Sequence, residues 1–130
     1  MPETFETTTF ETVVLERPAP HVLVVRLNRP EARNAMNTQM GHDLKRIWQQ
    51  MYVDPGDTRC IILTGTGDKA FCAGGDLTQR NNMTDSQWQQ QHALFEQGTL
   101  ALVDCPVPVI AARISVWYIE LYICLISRWR

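Results

Sequence analysis

The residues with the most chemical potential lie in one short run, Phe71-Cys72-Ala73-Gly74-Gly75-Asp76-Leu77. Paired glycines let a backbone turn sharply and bring its amide hydrogens close to a ligand with no Cβ in the way. Amides presented in this manner suit a developing oxyanion, because fixed N–H dipoles stabilise it without reorganising as the charge builds. A Gly-Gly-Asp run also serves as a plain turn, so the reading needs support from elsewhere in the chain. Cys72 offers a thiol, but no histidine stands near it in sequence to activate it, and a packing role fits a free cysteine better. Asp76 offers a carboxylate beside the glycines.

Two other patterns invite chemistry and fail. Gly65-Thr66-Gly67-Asp68-Lys69-Ala70 fits a loose dinucleotide fingerprint, yet that fingerprint must open directly into a helix whose N-terminus takes the pyrophosphate. Here it runs into Phe71-Cys72-Ala73-Gly74-Gly75, with no acidic residue ending a second strand at the right distance. The four cysteines, Cys60, Cys72, Cys105 and Cys124, show no paired spacing, and His21, His42 and His92 are scattered. A metal site is therefore not expected. Twelve basic against fourteen acidic residues give a net charge of -2 without a basic cluster, which argues against a nucleic-acid partner. The acidic, threonine-rich start lacks the features of a signal or transit peptide, and the expected compartment is the reducing cytoplasm.

The elements that must position the glycine run can be read from periodicity. At 130 residues, with 45% hydrophobic and 20% charged, the chain has room for one domain with a core. Residues 1–11 lack apolar spacing and are expected to form a loose arm. Thr12 to Glu16 and Val22 to Leu27 are β-branched and aliphatic runs around Arg17-Pro18-Ala19-Pro20-His21, which predicts an antiparallel pair. From Asn37, the positions Met40, Leu44, Ile47, Trp48 and Met51 fall at helical spacing until Asp54-Pro55-Gly56. Cys60 to Thr64 reads as a strand buried on both faces. Thr84-Asp85-Ser86-Gln87 has the pattern of a capping box opening a second helix, which Asp104-Cys105-Pro106-Val107-Pro108 ends. Val109 to Ala112 is the next buried strand. The fold class is α/β, with a mostly parallel sheet.

Three stretches, taken in order, carry a resemblance: Leu27-Asn28-Arg29-Pro30-Glu31-Ala32-Arg33-Asn34-Ala35-Met36, then Ile61-Ile62-Leu63-Thr64-Gly65, then Lys69 to Leu77. Together they resemble the enoyl-CoA hydratase/isomerase, or crotonase, family over roughly Thr12 to Ala112. The resemblance implies part of a crotonase-like (ββα) spiral core and an acyl-CoA or enoyl-CoA thioester as partner. Coenzyme A then arrives within the substrate, and no separate cofactor is needed. By the same resemblance, Glu31, Ala32, Arg33 and Ala35 form one wall of the CoA site, and Ala73, Gly74, Asp76 and Leu77 the other. Gly75 takes the place of the first oxyanion-hole amide, and Asp76 mainly supports its loop. The family assembles as trimers or hexamers.

The family also implies a second amide from a glycine-rich segment after the Val-Ile-Ala-Ala strand, and in hydratases two glutamates beyond it. Here Ala112 is followed by Arg113-Ile114-Ser115-Val116-Trp117-Tyr118, and no glycine occurs after Gly98. Residues 113–130 are accordingly expected to be a divergent hydrophobic tail replacing the native continuation after a lost reading frame or exon. Glu120 has no family motif around it. The incomplete domain is expected to leave a sheet edge open and turnover impaired. A non-catalytic fragment that binds CoA or interferes with oligomers is an alternative, and a membrane-associated module acting through the tail is another. The apolar run is too short for a span.

Overall fold

The computed structural model describes residues 8–113 and the backbone of 122–125. Five strands form one sheet in sequential order: β1 (Val13–Ala19), β2 (Val22–Leu27), β3 (Cys60–Gly65), β4 (Val109–Arg113) and β5 (Tyr122–Leu125). The three inner strands run parallel, and β1 and β5 pair antiparallel at the two edges. Helix α1 (Thr38–Val53) connects β2 to β3, while α2 (Leu77–Asn81) and α3 (Asp85–Val103) lie between β3 and β4.

Alternation along the strands builds the core. Leu23 sits opposite Ile61, which sits opposite Val109, so one row of aliphatic side chains crosses three strands. Two residues along, Val25 faces Leu63. These rows join Met40, Ile47, Trp48 and Met51 of α1 in a single buried cluster, which is what the helical spacing of those residues requires. Asn37 caps α1 by accepting the Met40 N–H at 2.9 Å. The capping box of α3 is complete, with Gln87 N–H donating to Thr84 Oγ1 and Thr84 N–H donating to Gln87 Oε1. Gly41 lets α3 approach closely: a methyl built on it would lie 2.6 Å from the Phe95 ring.

Three expectations change. Phe10, assigned to the loose arm, is 9% exposed and belongs to the core; the Arg46 guanidinium lies 5.8 Å from its ring centroid. Just after it, Thr12 donates from both N–H and Oγ1 to Asp43 Oδ2 at 2.9 and 2.7 Å, tying the start of the sheet to α1. The first strand also continues past Glu16 to Ala19, through Pro18. It is an edge strand, where a missing N–H is tolerated, and its register shifts between Glu16 and Ala19. Finally, the far edge of β4 is not open, because Ile110 to Arg113 pair with Tyr122–Leu125. The remainder of the tail lies outside the described residues. Among those residues no helix is long and apolar enough to cross a membrane.

Candidate functional site

The site is assembled where the carboxyl ends of β2 and β3 release their loops. After β2, a 3₁₀ turn at Pro30–Ala32 is followed by Arg33 and Asn34, both left-handed at φ 51° and 56°. Two successive residues of that hand reverse the chain and aim the Asn34 side chain inward, where it is fully buried. Asn34 Oδ1 accepts the Arg29 N–H at 2.9 Å, and Nδ2 donates to the carbonyls of Thr66 and Ala70, each at 2.9 Å. One amide group thus fixes the loop after β2 to the loop after β3. Gly65 makes this approach possible, since a Cβ there would stand 2.7 Å from Asn34 Nδ2.

The glycine run is held against this frame by backbone bonds. Ala73 N–H donates to the Arg33 carbonyl at 3.1 Å, Met36 N–H to the Gly74 carbonyl at 2.7 Å, and Asp76 N–H to the Met36 carbonyl at 2.9 Å. The last two form a parallel bridge between Met36 and Gly75. In such a bridge the flanking residues make the bonds, so the N–H and C=O of the bridged residue point the opposite way. Gly75 is that residue, and its N–H donates to no described residue. Gly74 reaches this arrangement at φ 90°, a backbone conformation open to glycine.

Asp76 is turned inward. Its Oδ1 accepts the Gln79 N–H at 3.1 Å as the N-cap of α2, and its Oδ2 pairs with Arg29 Nη2 at 3.1 Å. Arg29 Nη1 also donates to the Ala35 carbonyl at 2.6 Å. The Gln79 N–H chiefly holds the Asp76 carboxyl below its usual range; burial opposes this and the Arg29 guanidinium adds to it. A carboxylate so engaged is a poor proton acceptor.

The remaining expected residues surround the glycines in different ways. Glu31, Arg33, Ala73, Gly74 and Leu77 are exposed, Ala32 is half-buried, and Ala35 is buried. The two expected walls therefore stand side by side, joined through Arg33, Met36 and Arg29. Cys72 Sγ lies 4.0 Å from the Gly74 carbonyl within the loop. Burial raises the Cys105 thiol above its ordinary value. No cluster suited to a metal ion occurs among the described residues. The dinucleotide-like glycines lead into a loop, and the next helix begins only at Leu77.

The family model for enoyl-CoA hydratase/isomerase matches residues 18–114. The chain belongs to the enoyl-CoA hydratase/isomerase family. It is 44% identical over 93 residues to a putative enoyl-CoA hydratase/isomerase of Bacillus subtilis, covering 71% of this chain and 35% of that protein. It is 47% identical over 57 residues to an (E)-benzylidenesuccinyl-CoA hydratase of Thauera aromatica, covering 44% of this chain and 22% of that one. The crystal structure of an enoyl-CoA hydratase from Bacillus anthracis superposes with a TM-score of 0.75 at 33% identity, over 79% of this chain and 40% of its own. The chain thus spans well under half the length of these family members, and the part it spans contains both loops of the site.

Family motifs draw attention to the residues lining the two loops and pass over the groups that hold the loops together. Asn34 and Arg29 stand within the first motif with no visible role, because nothing in a linear run shows that two loops meet at one side-chain amide. Helix α2 is not legible in the sequence either: five residues are too few to display a helical period. Its one local signal is Asp76 three residues before Gln79, an N-cap spacing.

Proposed function

We propose that this chain binds the CoA thioester of an acyl or enoyl group across the 31–35 and 73–77 loops, and that the Gly75 N–H receives the thioester oxygen. Hydration or isomerisation of such a thioester passes through an enolate-like state with negative charge on that oxygen. A fixed amide stabilises the charge at the moment it forms. The observation that carries this reading is the Met36–Gly75 bridge, which leaves the Gly75 N–H directed away from its strand-like partner. Family membership supports CoA as the handle, as do relatives named for benzylidenesuccinyl-CoA and mevalonyl-coenzyme A.

On this reading the chain contributes binding and one oxyanion donor. Asp76, the carboxylate next to Gly75, is engaged by Arg29 and Gln79 and does not act as the base. A second donor and the acid/base pair belong to the part of the family fold that follows the matched region. Coenzyme A enters with the substrate, with no dissociable cofactor. The thiols of Cys60, Cys72 and Cys105 are free, which fits a reducing cytoplasm, and the resemblance to the family supports a trimeric or hexameric assembly.

Butyryl-CoA, a saturated thioester that cannot be hydrated, tests binding without turnover. Calorimetry is expected to show saturable binding that weakens by about tenfold or more, roughly 1.4 kcal/mol, when Ala73→Trp fills the exposed wall. Absence of binding by the folded native chain would contradict the reading.

A further inference from the structure

Arg80, at the end of α2, lays its guanidinium over the Cα of Gly75. A methyl built on Gly75 would lie 2.5 Å from Arg80 Cζ and 2.7 Å from each Nη. The side chain is held there from behind. Its Nε donates to Gln91 Oε1 at 3.2 Å, and its Cζ stands 6.0 Å from the Phe95 ring centroid. Gln91 is itself 3% exposed and fixed by donating from Nε2 to Thr38 Oγ1 and Gln79 Oε1, each at 2.9 Å. Among the described residues no carboxylate pairs with Arg80, and its two Nη groups make no hydrogen bond. The result is a cation anchored through Nε and the Phe95 ring, with its two-pronged end free of described partners beside the proposed oxyanion amide.

A charged end left free in this way has an electrostatic consequence. Arginine presents its N–H groups in a planar fork that matches a carboxylate bidentately. Preorganisation through Gln91 and Phe95 lowers the entropy lost when such a partner arrives. A neutral alkyl chain running past Gly75 would instead desolvate part of the guanidinium and return no hydrogen bond. We propose that Arg80 is a specificity-determining residue that selects acyl thioesters carrying a second carboxylate close to the thioester. The inference rests on the reading that Gly75 receives the thioester oxygen, and it adds which acyl groups are preferred.

Glutaryl-CoA and butyryl-CoA serve as unreactive probes that share the CoA handle and differ in the terminal carboxylate. The native chain is expected to bind glutaryl-CoA about 10- to 100-fold more tightly than butyryl-CoA, the range of a hydrogen-bonded charged pair. R80M should bring the glutaryl-CoA affinity down to that of butyryl-CoA, and R80K, which keeps the charge but loses the fork, should restore only part of the preference. Equal affinities for the two thioesters in the native chain would overturn the inference and leave the CoA reading standing. The comparison within the native chain decides the matter even where a variant fails to fold. Binding of neither probe would overturn both.

Discussion

Asn34 commits every polar atom of its side chain to the backbone, accepting from Arg29 and donating to Thr66 and Ala70. It does so in a left-handed conformation at full burial. Replacing it with alanine strands three part-buried backbone groups and places a Cβ residue without a compensating bond at positive φ. Asn34→Ala is expected to cost about 2–4 kcal/mol of stability, read as a lower urea midpoint at unchanged denaturant slope. A loss under about 1 kcal/mol would mean that the loops are held by something else. Gly75 differs in kind: its contribution is one N–H, and the three atoms nearest to a Cβ built there all belong to the Arg80 guanidinium. Stability should therefore follow Asn34, and ligand chemistry Gly75.

At the scale of elements, the short helix α2 depends on its cap. Five residues cannot sustain a helix alone, and Asp76 supplies what the length does not, by accepting the Gln79 N–H and pairing with Arg29. Because these contacts hold the Asp76 carboxyl below its ordinary value, the folded chain binds the proton less readily than the unfolded one. Its contribution to stability is then fully present above the unfolded value of about 3.9 and is lost as pH falls through the folded value. The stability difference between the native chain and Asp76→Asn should stay constant above about pH 5 and shrink below about pH 4. A difference independent of pH down to that range would show that the carboxylate charge does not matter. The larger elements were legible in the sequence because length lets periodicity speak: sixteen residues of α1 and the unbroken aliphatic runs of β3 and β4 leave little choice of structure. Helix α2 and the passage of β1 through Pro18 were not legible, since one is shorter than a period can show and the other depends on lying at a sheet edge.

For the whole molecule, three inner parallel strands with α1 packed on one buried cluster place both loops at the same end of the sheet. That coincidence of ends is what the ordered motifs in the sequence encode, and it is why residues of two loops that meet at Gly75 stand out together in a linear reading. Phe10 and the Thr12–Asp43 contact were invisible to it, because a lone aromatic in a polar arm shows no period and its partner lies on α1. The network behind the site was equally hidden, for Asn34, Gln91 and Arg80 become neighbours of the glycine run only once the loops and helices close on one another. The account as a whole stands on the direction of a single amide. The peptide bond preceding Gly75 can be replaced by an ester, which deletes that N–H and little else, in a chain assembled by ligation at Cys72. Infrared spectroscopy of bound crotonyl-CoA with a ¹³C-labelled thioester carbonyl then reads the hydrogen bond directly. The account predicts that the carbonyl stretch falls in frequency on binding to the native chain and that the ester chain loses most of that fall. An equal shift in both chains, or none in the native one, would contradict it.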